Sequence, residues 1–276
     1  MRQLLLGLAL LVTSADRASD RDALLRADRA LAEKTVALGV VRGFFPSLEA
    51  DAAYLHPGAP LLRGTDQIRS FLESVDSLEN LAWSPAFADV SADGRLGYTY
   101  GWTRAGGTRG KYLACWRQDR AGWRIVAYAR TRPVPVTDSV PVPRPVEPGA
   151  QIRGRADPAE LIRADSAFAA MSVAQGVKAA FLAYSTEDAM IFGAGAQISA
   201  GHQAIGASFD GFPSGAVLKW WPVAATIAES GDLGCTVGEA TIASLNHYSK
   251  YLTIWRRQRD GSWKFVADGG NVRPAP

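Results

Sequence analysis

Cysteine, histidine and methionine are scarce: the 276 residues include two cysteines, three histidines and three methionines. Two cysteines supply neither a disulfide framework nor a thiolate zinc cluster. Three histidines leave little material for a histidine-rich metal site. Charge of one sign is lacking too, with 30 basic and 27 acidic residues and a net charge of +3. Binding to nucleic acid needs a concentrated basic face rather than a small excess, so nucleic acid is not an expected partner. No phosphate-cradling glycine loop is evident; Gly193-Ala194-Gly195 reads as turn chemistry. No Ser-His-Asp order or metal-ligand spacing stands out, and no cofactor or metal is expected. What is present is an ordinary globular composition, 47% hydrophobic and 21% charged. The length suits two domains of about 125 residues each.

The N-terminus starts Met1-Arg2-Gln3, runs through an apolar stretch from Leu4 to Val12, and continues Thr13-Ser14-Ala15. A basic start, an apolar core and small residues at the cut make a secretory signal, here 1–15 with cleavage after Ala15. The apolar core is too short for a bilayer anchor of about 20 residues. No other run is long enough, so stable membrane insertion is not expected. The mature protein is expected to be periplasmic or secreted.

The chain then repeats itself. Leu24-Leu25-Arg26-Ala27-Asp28 recurs as Leu161-Ile162-Arg163-Ala164-Asp165. At constant spacing Phe44 falls on Phe181, Gly64 on Gly201, Trp83 on Trp220, and Thr99 on Thr236. After small insertions Lys111-Tyr112-Leu113 meets Lys250-Tyr251-Leu252, Trp116 meets Trp255, and Arg132-Pro133 meets Arg273-Pro274. So long a period means two complete globular units rather than a solenoid. The expected domains are 20–133 and 157–276, joined by a proline-rich linker, 134–156, whose alternating prolines favour an extended spacer.

Within one repeat the pattern is helix, helix, strand, short helix, then long strands. Asp157-Pro158 with Glu160 is a helix start. Leu161, Ala164, Phe168 and Met171 continue it as one stripe, and Val177, Ala180, Phe181 and Tyr184 make a second. A short strand is expected at 189–192 and a short helix near 202–209, with Thr65 capping its counterpart in the first repeat. Strands are expected at 218–227, 233–243, 248–257 and 263–269, the last two joined by a hairpin turn. Helices gathered before an antiparallel meander mean α+β. Two cone-shaped domains are expected, each with N-terminal helices on a curved, mainly antiparallel sheet.

The Asp188-Ala189 strand opening, Gly201 before the short helix, Thr236-Val237-Gly238, and the closing hairpin from Tyr251-Leu252-Thr253-Ile254-Trp255 to Trp263-Lys264-Phe265-Val266-Ala267-Asp268 carry a resemblance. The chain resembles a tandem duplication of a SnoaL-like domain. It looks like a bacterial subgroup of unknown function in the nuclear-transport-factor-2-like superfamily, which includes ketosteroid-isomerase-like proteins. The resemblance implies a cone with a cavity and, as a class, cofactor-free acid–base reactions. Isomerase-type members use an aspartate just after the first strand as general base. His56 and Gly193 stand near that place here, so that chemistry is not carried over.

The repeats differ most where strand alternation is expected to line a cavity. Tyr98, Tyr100 and Trp102 face Cys235, Val237 and Glu239 in the comparison, and Tyr128 corresponds to Asp268. Asp268 and Glu239 are therefore candidate acid–base residues, with His56 a further candidate. Tyr98, Tyr100, Trp102, Tyr128, Tyr184, Trp220, His247 and Asn271 are candidate ligand contacts. Equally, Glu239 faces solvent, Asp268 and Asn271 merely end a strand, and His56 is a loop histidine. Tryptophans repeated in both units, and Trp221 beside them, are expected to pack the core. The arginines and lysines of the closing hairpins are expected on a solvated outer face or protecting edges. Cys115 and Cys235 are expected as buried thiols, with pairing between the repeats left open.

Three readings remain at this level: an exported protein that binds a small, largely apolar molecule and catalyses isomerase-, lyase- or cyclase-type chemistry; a carrier without turnover; and a non-catalytic assembly module. In the last, the repeats form an internal pseudo-dimer, or the chain pairs as a homodimer. Whether the protein is an enzyme is open.

Overall fold

Asp157 accepts a hydrogen bond from the Ala159 amide at 3.0 Å and Pro158 follows it, so the helix starts where the sequence predicts. A computed structural model describes residues 14–75, 81–105, 108–135, 154–195 and 197–276. The expected signal segment, apart from Ser14 and Ala15, lies outside the described residues, as does 136–153 of the expected linker. The first unit contains α1 (Ser14–Gly39), a π-helical turn and a 3-10 turn, β1 (Leu48–Leu55), β2 (Leu62–Arg63), α2 (Thr65–Val75), β3 (Ala82–Val90), β4 (Leu96–Ala105), β5 (Thr108–Asp119), β6 (Gly122–Arg130) and β7 (Val134–Pro135). The second contains α3 (Pro158–Gln175), α4 (Val177–Tyr184), β8 (Ser185–Phe192), β9 (Ser199–Ala200), α5 (Gly201–Ser208), β10 (Lys219–Ile227), β11 (Leu233–Ile242), β12 (His247–Arg257) and β13 (Trp263–Val272). Among the described residues no helix is long and apolar enough to cross a membrane.

The chain is α+β, with two sheets each packed against helices. The sheets run β2-β1-β6-β5-β4-β3 and β9-β8-β13-β12-β11-β10, the same order in the two units. Among the described strands only the β1–β6 and β8–β13 pairs are parallel. Short β7 pairs with β5, so the start of the expected linker lies on the first sheet. In each unit the first helix rests on a strand glycine. A Cβ at Gly97 would sit 2.6 Å from Leu24, and one at Gly234 would run into Leu161. Only glycine lets helix and strand approach this closely.

Each sheet has two apolar faces with different partners. One closes over the helices: Trp83, Tyr112, Trp116 and Tyr128 in the first unit, Trp220, Tyr251, Trp255 and Phe265 in the second. The other faces the second sheet. Tyr98, Tyr100, Leu113 and Cys115 form a common layer with Phe192, Val237, Leu252 and Ile254. Removing this layer from water is the main force holding the units together. Cys115 and Cys235 form a disulfide through it, with Cα atoms 6.7 Å apart.

Polar contacts at the rim are nearly reciprocal. Lys111 Nζ donates to the Gln197 carbonyl at 2.5 Å, and Lys250 Nζ to the Ala59 carbonyl at 2.7 Å. The Ser230 amide donates to Asp93 at 2.8 Å, and the Ala92 amide to Asp232 at 3.0 Å. Buried Asp89 pairs with Arg256 of the other unit and with Arg17 at 2.8 Å. Lys111, Lys250 and Arg256 therefore correct the expectation of a solvated outer face or protected edges: they are buried between the sheets, where they bond backbone carbonyls and a carboxylate. Trp221 departs in the other direction. It lies on edge strand β10 with 44% of its surface exposed, whereas Trp220 points into the core.

Candidate functional site

Both units are built on one buried polar triad. Asp28 of α1 accepts from Trp83 Nε1 at 2.6 Å and Tyr112 Oη at 2.6 Å. Asp165 of α3 accepts from Trp220 Nε1 at 2.8 Å and Tyr251 Oη at 3.0 Å. A second bond repeats above it, Trp116 Nε1 to Thr99 Oγ1 at 2.8 Å and Trp255 Nε1 to Thr236 Oγ1 at 2.9 Å. Burial pushes both aspartates above the ordinary carboxylate range, and the hydrogen bonds from threonine, tryptophan and tyrosine oppose that push. The same carboxylates push the Tyr112 and Tyr251 hydroxyls further up, as burial already does. Because the triad occurs in both units, it is a scaffold for the helix–sheet contact.

What surrounds the triad differs. In the first unit Tyr128 of β6 occupies the cone. Its ring lies 5.1 Å from Phe44, 5.5 Å from Tyr112 and 5.9 Å from Tyr54. Tyr128 pairs with Tyr54 and Ala114 on its neighbouring strands; in the second unit Asp268 pairs with Ile191 and Thr253. Two rings are thus replaced by an isoleucine and a carboxyl group. The space left is a cavity of about 500 Å³, walled by Phe168, Phe181, Leu218, Trp220 and Tyr251 and reached by Asp268 and Thr253. That volume is in the range of small-molecule sites.

Asp268 is the distinctive group there. Burial pushes its pKa up to about 7, the hydrogen bond from Thr253 opposes the rise, and nearby Asp165 adds to it. Thr253 Oγ1 donates to Asp268 Oδ2 at 2.6 Å, which fixes the carboxyl plane. A carboxyl with this pKa exists in both protonation states near neutral pH, as a general acid and base requires. Among the described residues no cluster of three or more His, Cys, Asp or Glu side chains could hold a metal ion.

The other expected residues divide. Trp220, His247 and Asn271 line the cavity with Asp268. The Trp220 indole N–H is already taken by Asp165. Asn271 is committed to holding the units together. Its Nδ2 donates to the Leu55 carbonyl at 2.8 Å and the Arg130 carbonyl at 2.7 Å, and its Oδ1 accepts from Lys250 Nζ at 2.5 Å.

Tyr98, Tyr100 and Trp102 do not line the cavity; they are buried against the second sheet. The reason is strand phase: Thr99, which bonds Trp116, marks the cone-facing side of β4, so its neighbours face the other way. Glu239 shares that outer side in the second unit and pairs with Arg273 at 3.3 Å. Tyr128 fills its own cone. Tyr184 packs its ring 5.1 Å from Phe168, behind the wall. His56 belongs to the first unit, with its ring 4.9 Å from Phe71. Sequence reasoning missed the triads, although Asp28/Asp165, Trp83/Trp220 and Tyr112/Tyr251 are all repeat identities. It also missed Thr253, and the first unit's Pro57, Thr131, Arg132 and Val134 at the cavity.

No family model and no curated protein matches the chain. Solved structures do. A ketosteroid isomerase-like protein from Erwinia carotovora atroseptica aligns at 14% identity and a TM-score of 0.35, covering 42% of this chain and 95% of its own. A nuclear-transport-factor-2-like protein of unknown function from Pseudomonas putida aligns at 16% identity and 0.35, covering 41% and 84%. A domain of unknown function with a cystatin-like fold from Nostoc punctiforme aligns at 16% identity and 0.34, covering 44% and 79%.

Proposed function

We propose that the second unit binds a small, largely apolar molecule in its helix–sheet cavity, with Asp268 as the acid–base group of a cofactor-free reaction. The observation that carries this reading is the exchange of Tyr128 for Asp268 on an otherwise shared scaffold. It opens one cone and places there a carboxyl whose pKa burial pushes up to about 7. The first unit, filled by aromatic rings, serves as the structural partner. The two units descend from one duplicated domain of the kind that the closing hairpin resembles; the matching strand order and triads support this. Export is part of the reading, supported by the order of the N-terminal residues and by a disulfide, which persists in oxidising compartments. N-terminal sequencing of the protein recovered from the cell envelope fraction tests export.

Native mass spectrometry of the purified chain, followed by denaturing extraction, tests the binding site. A released compound that Asp268→Asn retains but no longer converts supports catalysis. Equal conversion by the variant removes Asp268 from the chemistry. A non-catalytic assembly module is the second reading, favoured by the continuous apolar layer between the sheets. It predicts that neither the wild type nor any variant retains a compound.

A further inference from the structure

The rim of the cavity in the second unit is completed by the first unit. Pro57, Thr131, Arg132 and Val134 all reach it. They are held there firmly. The Gly58 amide donates to the Val272 carbonyl at 2.9 Å, and Lys250 Nζ spans the Ala59 and Val272 carbonyls at 2.7 and 3.0 Å. On the other flank, the Thr131 amide donates to the Lys111 carbonyl at 2.8 Å, the Lys111 amide donates to Thr131 Oγ1 at 2.9 Å, and Val134 pairs with Arg109. The backbone that carries Arg132 is therefore pinned on both sides.

The charges at the rim are not equivalent. Lys250 is saturated by two carbonyls and Asn271. Arg273 does not line the cavity; it pairs with Glu239 at 3.3 Å and lies over the Tyr248 ring. Arg132-Pro133 is the repeat counterpart of Arg273-Pro274, but the position of Glu239 is taken by Trp102 in the first unit. Arg109, not Arg132, stacks on that tryptophan, at 5.3 Å. Arg132 is thus exposed at the mouth, and none of the described carboxylates pairs with it.

We propose that Arg132 recognises an anionic group on the ligand, so that the site takes an apolar-bodied monoanion, such as an aromatic carboxylate, with its body among Phe168, Phe181 and Trp220. This rests on the cavity reading above. An anion at the mouth leaves the apolar interior free of a second charge beside Asp268, and the guanidinium supplies paired donors for a carboxylate. The first unit is then a specificity element for the second unit's site.

Two fluorescent probes that share one skeleton test this: anilinonaphthalene sulfonate, an anion, and its uncharged parent N-phenylnaphthylamine. They are titrated into the wild type, Arg132→Gln, Arg132→Lys and Asp268→Tyr, the last placing the first unit's filler in the cavity. The wild type should prefer the anion by at least about fivefold. Arg132→Gln should erase that preference with the neutral probe unchanged, Arg132→Lys should keep part of it, and Asp268→Tyr should weaken both probes. If Arg132→Gln leaves the preference intact, or the wild type has none, the inference is overturned while the cavity reading stands. If neither probe binds the wild type more tightly than Asp268→Tyr, both fall.

Discussion

Replacing Asp268 by asparagine should make the protein more stable, and by an amount that depends on pH in a defined way. Asp268 titrates at about 7 when folded, against an ordinary value of 3.8. Between those values the folded chain holds a proton that the unfolded chain has released. Its stability is therefore greatest below the lower value and falls as pH rises toward the upper one. Each pH unit is worth about 1.4 kcal/mol, so the full loss above neutrality is about 4 kcal/mol. Asparagine keeps the shape and still accepts the Thr253 hydroxyl, but it has no proton to release. The difference between variant and wild type should therefore widen by about 2–3 kcal/mol from pH 5 to pH 8, and level off above. Urea denaturation followed by tryptophan fluorescence across that range measures it. Asp165 and every other group titrate in both proteins and cancel to first order. A difference that stays flat from pH 5 to pH 8 would refute the buried, desolvated carboxyl, and with it the acid–base assignment.

The triads make a paired prediction. Tyr112→Phe and Tyr251→Phe each remove one donor from a buried aspartate, at a cost of about 1–3 kcal/mol by urea denaturation. The two costs should be alike, and a neutral Tyr251→Phe would show that water from the cavity already serves Asp165. The Cys115–Cys235 disulfide closes a loop across a sequence separation of 120 residues. Reduction should lower stability by about 2–5 kcal/mol, and the same treatment should leave a Cys115→Ala/Cys235→Ala chain unchanged.

Much of this architecture is legible in the sequence because local signals and the repeat agree. The Asp157-Pro158 helix start, the two stripes that became α3 and α4, and the closing hairpin all lie within a few residues of expectation. The Tyr128/Asp268 difference also points to the cone in which the structure shows a cavity. Strand phase is less legible. Alternation shows that Tyr98, Tyr100 and Trp102 share a face, but both faces of this sheet are apolar, so composition does not separate cavity from interface. The Trp116–Thr99 bond decides it, and its residues recur as Trp255 and Thr236. Asn271 shows a different limit. Its residue type suits a ligand contact, yet its amide is spent on carbonyls far away in the chain. Contacts between units leave no periodic trace in either one.

The asymmetry between the cones has an energetic reason that one substitution can expose. An open, largely apolar cavity forgoes packing contacts, and a buried carboxyl adds a desolvation cost. A small isolated domain has little stability to spare for both. Here the first unit has Tyr128 in place of a second carboxyl beside its triad: Tyr54, Tyr112 and Tyr128 stack in its cone, and its outer face is sealed against the second sheet. If that filling is what supports the open partner, Tyr128→Ala should cost about 3–5 kcal/mol, as for other buried aromatic rings. Asp268→Ala, which removes a group from an already open space, should cost far less or be stabilising above neutral pH. Urea midpoints at pH 8 compare the two directly. Equal costs would mean that both cones are packed alike in solution, and that the cavity of the second unit is not a standing feature of the fold.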